Sequence, residues 1–323
     1  MDYLFLCLSL IPLIMMHTTD SAANPVQAKC TKKLTRRMKS ADCSDLKLVS
    51  IPYLTSDIEV LDASTNRIRK LKNDSFVHLT SLKFLYLSDN AITSIEAGAF
   101  SPLQDLEALD LTLNAIRDLP PLLPTSLRRL YLSENPLQTV PLQNAVSLEY
   151  VSLANCELNS LPYLGILPQL LQINLTGNAI ESLFVEQLAA FCHLETLEIP
   201  TSLLNSKYTS SCECVRVHSW AINNSIYMIP LLNCSVANET ECFTNTSSLV
   251  NEAFSSCQLA YQQIATSRWI ISIIGAVVVL LLVIVLVLLW RRKLSRSRAP
   301  VPQPSQEEVR KRQLLKKSTR LKF

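Results

Sequence analysis

The sequence predicts an α/β solenoid, in which short parallel strands stack into a sheet on the concave side of a curved rod. Three observations carry that expectation. The first is an eleven-residue apolar pattern, seen at Leu82 to Ile92 (LKFLYLSDNAI) and of the form L-x-x-L-x-L-x-x-N-x-L. The second is its recurrence from Ile58, Leu82, Leu106, Leu127, Leu148, Leu170 and Leu194, at spacings of 24, 24, 21, 21, 22 and 24 residues. The third is the ninth position, filled by Asn66, Asn90, Asn114, Asn135, Cys156 and Asn178 in the first six copies.

Each copy alternates as a strand does. In the fourth copy Leu127, Leu130, Leu132 and Leu137 take the first, fourth, sixth and eleventh positions, which places one set of side chains inside and the intervening set outside. An amide at the ninth position can satisfy backbone groups in the turn that follows the strand. No copy buries its apolar face alone, so stability has to come from stacking. Ser202 at this position of the seventh copy marks the end of the ladder. Phe76, Phe100 and Phe191 fall late in the 24-residue copies and can fill the interior, while Pro120, Pro121, Pro124 and Pro141 disfavour helical returns in copies three and four.

These features resemble the leucine-rich repeat family over roughly residues 43 to 260. The resemblance implies a horseshoe with a parallel concave β-sheet and a disulfide cap at each end. Around it the chain divides into a signal peptide (1–23), an N-terminal cap (24–57), seven repeats (58–204), a C-terminal cysteine-rich cap (205–260), a juxtamembrane stretch (261–269), a transmembrane helix (270–290) and a basic cytoplasmic tail (291–323).

Residues 4–16 are apolar and Ser21, Ala22 and Ala23 follow, the order of a secretory signal peptide. Lys29, Lys32, Lys33, Arg36, Arg37 and Lys39 then crowd the N-terminal cap, reading either as attraction to a sulfated glycan or as a solvated loop. Elsewhere the stretch before the tail is acidic, which argues against nucleic acid as a partner. The resemblance implies a Cys30 to Cys43 bridge, and Cys212 to Cys234 with Cys214 to Cys257 in the C-terminal cap. Cys242 could replace Cys234, and Cys192 and Cys242 either bond each other or leave a free thiol. A zinc site could be drawn from Cys212, Cys214, His193 and His218, but a secreted context favours disulfides.

The third and fifth motif positions face outward on the concave side. They supply Asp62, Phe84, Tyr86, Asp110, Arg129, Tyr131 and Tyr150 as the expected ligand-binding residues. Rigid aromatic rings beside an arginine have the composition of an interaction hot spot; the plainer reading is that the rings only pack on one another. Glycosylation sequons stand at Asn73, Asn174, Asn223, Asn233, Asn238 and Asn245, and a glycan on Asn174 would screen the sixth copy.

From Ile270 to Leu289 no residue is charged, Trp269 and Trp290 bound the stretch, and Arg291, Arg292 and Lys293 follow. That pattern reads as a single-pass span with the N-terminus extracellular and the C-terminus cytoplasmic, at the plasma membrane. The tail is too short for a kinase or Toll-type signalling domain. No nucleophile elbow, phosphate loop or metal-ligand spacing stands out, and neither an enzyme nor a cofactor is expected. The expected function is binding of an extracellular protein ligand or cell-surface ectodomain through the concave face, in adhesion or recognition on neurons or epithelia. Two alternatives remain: an innate-immune recognition or accessory receptor without a signalling domain, and a cis co-receptor or ligand-sequestering subunit.

Overall fold

The computed structural model describes residues 30–235, 242, 248–297 and 305–319. The expected signal peptide, Lys29, and the sequons at Asn238 and Asn245 lie outside the described residues. The chain forms two units, residues 1–261 and 262–323.

In the first unit, β1 (Thr31–Thr35) and β2 (Met38–Asp42) make an antiparallel hairpin. Its two-residue loop is Arg36 and Arg37, at φ 50° and 70°. So short a loop needs positive φ at both positions to follow the strand twist, normally supplied by Gly or Asn; two arginines hid the hairpin from the sequence. Strand β2 then pairs in parallel with β3 (Val60–Asp62). The parallel sheet continues through β5 (Phe84–Tyr86), β7 (Ala108–Asp110), β8 (Arg129–Tyr131), β9 (Tyr150–Ser152), β10 (Gln172–Asn174) and β11 (Thr196–Glu198) to β12 (Tyr227–Ile229). Behind it, β4 (Lys70–Leu71) and β6 (Ser94–Ile95) form a second small parallel sheet. Each of the seven repeats contributes one main-sheet strand, and both caps extend the sheet beyond them.

The middle residues of the repeat strands, Leu61, Leu85, Leu109, Leu130, Val151, Ile173 and Leu197, are fully buried. Phe76 and Phe100 stack at 5.9 Å behind them, and Phe191 is likewise buried. A charge pattern at the second motif position reinforces the register. Lys83 pairs with Glu59 at 2.9 Å and Arg128 with Glu149 at 2.6 Å, each across to an adjacent strand. Such pairs near the surface are screened by solvent and contribute little to stability.

The ninth-position side chains form a continuous hydrogen-bonded ladder. Asn135 Nδ2 donates to the carbonyls of Leu111, Leu132 and Ser133, and its Oδ1 accepts from Ile116 N. Asn66, Asn90, Asn114 and Asn178 repeat the arrangement. Carbonyls are shared between rungs: Leu111 O accepts from both Asn114 and Asn135. Cys156 keeps the donor half, its Sγ lying 3.3 Å from Leu132 O and 3.4 Å from Ala154 O. Because a thiol is a poor acceptor, Leu137 N turns instead to Asn135 O at 2.8 Å. Burial pushes the Cys156 thiol up to about 11, so it stays protonated and unreactive.

One position before each of these residues, the chain is left-handed: Thr65, Asp89, Leu113, Glu134, Asn155 and Gly177 have φ from 52° to 71°. Only the last is glycine. The turn that leaves the sheet requires this conformation, and the ladder holds it against a steric cost of about 1 to 2 kcal/mol at each non-glycine residue.

The cap disulfides correct one expectation. Cys30 and Cys43 are bonded. In the C-terminal cap, however, Cys212 bonds Cys242, Cys214 bonds Cys234, and Cys192 bonds Cys257. Cys212 and Cys214 open α3 (Cys212–Asn223) and stand about 200° apart around it, so they face different partners. The fully buried Cys214 meets Cys234 on the segment leaving β12, whereas Cys212 reaches Cys242. Cys257 lies on α4 (Ser248–Ser297) and meets Cys192 in the sixth repeat's return, where Cys192 N donates to Cys257 Sγ at 3.0 Å. With Cys212 and Cys214 oxidised, the candidate zinc set does not exist. The short α1 (Val185–Leu188) and α2 (Ser206–Thr209) complete the unit.

Among the described residues one helix, the Ser248–Arg292 part of α4, is long and apolar enough to cross a membrane. It runs without a break through residues 261–269, where the sequence suggested a separate juxtamembrane stretch. The second unit also contains α5 (Gln306–Thr319) in the basic tail, which begins with Glu307 and Glu308 where a helix N-terminus favours negative charge.

Candidate binding surface on the concave sheet

Strand register turns the outward positions into two straight rows. One runs Val60, Phe84, Ala108, Arg129, Tyr150, Gln172 and Thr196; the other runs Asp62, Tyr86, Asp110, Tyr131, Ser152, Asn174 and Glu198. All seven residues expected to bind ligand therefore share one face on β3, β5, β7, β8 and β9. At the usual strand spacing they cover about 19 Å across the strands.

Their surroundings differ. Phe84, Tyr86, Tyr131 and Tyr150 are half-buried and Arg129 is exposed. Ala108 between Phe84 and Arg129 is only 5% exposed, since its larger neighbours in the row cover it. Tyr131 and Tyr150 pack with ring centroids 5.1 Å apart at 45°, so part of the aromatic surface serves the sheet itself. Tyr86 lies between Asp62 and Asp110 in register. Burial first, then Tyr131 and those two carboxylates, raise its phenol above the ordinary value, with Arg129 opposing. Burial likewise raises Tyr150. Both phenols are protonated near neutral pH and can donate hydrogen bonds. Arg128 is held by Glu149, while Arg129 has no ion pair among the described residues and is available.

Asp62 and Asp110 already have a local task. Asp62 Oδ1 accepts from Ser64 N at 3.0 Å and Asp110 Oδ1 from Thr112 N at 2.9 Å. Asp42 and Asn174 do the same with Ser44 and Thr176, and for Asp42 the Ser44 bonds lower the carboxyl's pKa. The fifth-position acid or amide followed two residues later by Ser or Thr is thus a turn-closing pair, legible in the sequence but not used there. Toward the C-terminal end Gln172 Nε2 donates to Glu198 Oε1 at 2.7 Å, which occupies those polar groups. The free recognition chemistry is therefore concentrated over β5 to β9. Of the four sequons within the described residues, Asn73, Asn223 and Asn233 are exposed and Asn174 is half-buried in the sheet.

Known proteins add the following. Residues 56–121 match the family model described as leucine rich repeat. Osteomodulin of Rattus norvegicus is 35% identical over 150 residues, covering 44% of this chain and 36% of that protein. Mimecan of Coturnix japonica is 29% identical over 198 residues, covering 50% and 66%, and keratocan of Mus musculus 31% over 151 residues, covering 44% and 43%. The chain thus spans only about a third of osteomodulin's length. The stretch that matches the leucine rich repeat model is thus similar to that family in sequence, and the amide ladder and the parallel sheet extend the same pattern over the neighbouring copies.

Proposed function

We propose that the chain is a cell-surface protein whose solenoid lies outside the cell and binds a protein ligand on its concave face, in adhesion or recognition. The observation that supports it most is the pair of registered rows bringing Phe84, Tyr86, Arg129, Tyr131 and Tyr150 onto one accessible surface. Half-buried, rigid rings beside an unpaired arginine bury large area at low entropic cost. The similarity to osteomodulin, mimecan and keratocan supports an extracellular, non-enzymatic setting. Anchoring rests on α4. At 1.5 Å per residue its 45-residue Ser248–Arg292 stretch would measure about 68 Å, roughly twice a bilayer's hydrocarbon core, so the uncharged part, 270–290, is the part assigned to the membrane.

The test is to display the full chain on cells and probe it with multimerised ectodomains of other surface proteins, its own included. A ligand whose binding falls at least tenfold with Tyr86→Ala plus Tyr131→Ala, at unchanged surface level and melting temperature, supports the reading. Undiminished binding of every ligand by that variant moves recognition off the concave face.

A further inference from the structure

A second surface lies between the N-terminal cap and the first repeat. There a cleft of about 600 Å³ is lined by Tyr53, Arg69, Lys70, Lys72, His78 and one carboxylate, Asp74. Arg67 lies next to it in the chain and is exposed, as are Arg69, Lys70 and Lys72. Four cations thus fall within six residues. None of the four has a side-chain hydrogen bond or ion pair among the described residues, although Lys33, Lys39, Lys83, Arg128 and Arg216 all do. Glu96, at the position of Lys72 one repeat on, accepts from Asn73 N at 2.8 Å and makes no ion pair with the four. Asn73 itself turns toward that next repeat, its Oδ1 accepting from Gly98 N.

The unpaired state is the informative part. Like charges this close repel, and a fold gains nothing by holding them unneutralised, so a partner of opposite charge is the natural complement. The cap run that the sequence singled out is a weaker candidate. Lys33 is paired with Asp42 at 3.2 Å, Lys39 with Asp57 at 2.7 Å, and Lys32 donates to Thr55 at 3.3 Å. That leaves Arg36 and Arg37 free at the hairpin loop among its described residues.

The opposite wall is aromatic. Tyr53 is 77% exposed and meets the His78 ring at 4.6 Å and 64°. An exposed ring face suits the C–H face of a sugar, while arginine and lysine suit sulfate or carboxylate oxygens. A flat membrane would meet a basic patch but not enter a cleft. We propose that this cleft binds a sulfated glycan chain, with Arg69, Lys70 and Lys72 on its anionic groups and Tyr53 against a sugar ring. The site shares no residue with the concave face and is independent of the function proposed there.

The test uses the full chain in detergent micelles on immobilised heparin. Every protein compared carries Arg310, Lys311, Arg312, Lys316 and Lys317 changed to Gln, so that the tail contributes equally little. Losing three anion contacts with Arg69→Gln, Lys70→Gln and Lys72→Gln should lower the slope of log affinity against log salt by about 2, and affinity near physiological salt at least tenfold. Lys32→Gln, Arg36→Gln and Arg37→Gln in the cap remove the same number of charges outside the cleft and should cost less than about threefold. Tyr53→Ala should weaken binding without changing the slope. All these side chains are exposed, and melting temperatures check that the variants fold. Equal losses from the two triple variants would overturn the proposal. So would equal retention on desulfated heparin, or binding to phosphatidylserine vesicles or an acidic peptide in its place.

Discussion

Removing the amide of Asn135 should be far more damaging than removing the thiol of Cys156, although both fill the same slot. In Asn135→Ala, Ile116 N loses its acceptor in a buried turn. Leu132 O is left with the Cys156 thiol, 3.3 Å away, while Leu111 O keeps Asn114. One orphaned amide and one poorly served carbonyl amount to about 2 to 4 kcal/mol. In Cys156→Ala, Leu132 O keeps Asn135, and Leu137 N is already bonded to Asn135 O. What is lost is a weak donor and a small volume, about 1 kcal/mol. For a solenoid of this size the melting midpoint moves about 2 to 4 °C per kcal/mol. Near-UV circular dichroism of the detergent-solubilised chain should therefore show Asn135→Ala melting some 4 to 16 °C lower, and Cys156→Ala about 2 to 4 °C lower. Midpoints for the two variants within about 2 °C of each other would refute the sharing of carbonyls between rungs.

Three further outcomes follow from named contacts. Leu113 is at φ 57° and 42% exposed, so Leu113→Asn, a residue that tolerates the left-handed turn, should stabilise by about 0.5 to 1 kcal/mol in thermal melts. Gly177→Ala should destabilise by about 1 to 3 kcal/mol because its Cβ would run into Asn155 Oδ1 at a positive φ; Asn155→Gly in the same chain should recover part of the loss. The Lys39 side chain, hydrogen-bonded to Asp57, holds that carboxyl down at about 2. A depressed folded value stabilises above the unfolded value of about 3.9 and loses that contribution as pH falls toward 2. Acid titration of Asp57 by NMR should move up toward the ordinary carboxylate range in Lys39→Gln.

The sheet was legible because its signal is periodic. Leu85, Leu109 and Leu130 recur at fixed motif positions, and the same count that buries them turns Phe84, Tyr86, Arg129 and Tyr131 outward. The ladder was legible for the same reason, including the exception at Cys156. Cys30 and Cys43 pair as expected, but the partners in the C-terminal cap were not legible, because they depend on which way Cys212 and Cys214 point around a helix and where Cys257 returns, neither of which spacing encodes. The β1–β2 hairpin was missed because Arg36 and Arg37 occupy positions usually marked by Gly or Asn. The cleft beside Arg69 was missed because a basic run in sequence says nothing about which cations find partners. The earlier run, although longer, has two of its cations, Lys33 and Lys39, paired with acids of its own cap.

The concave face can be tested with one glycan. Asp110 and Thr112 frame a sequon that needs only Asp110→Asn, and Asn174 shows that an amide at this position still closes the turn through Thr176 N at 2.9 Å. With the full chain displayed on cells, occupancy is read by a mobility shift, and ligand capture is compared with that of Asp110→Asn plus Thr112→Val, which cannot be glycosylated. The account predicts that the glycosylated form, at normal surface level, loses ligand while its unglycosylated counterpart retains it. Full capture by a chain carrying that glycan in the middle of the sheet would contradict concave-face recognition.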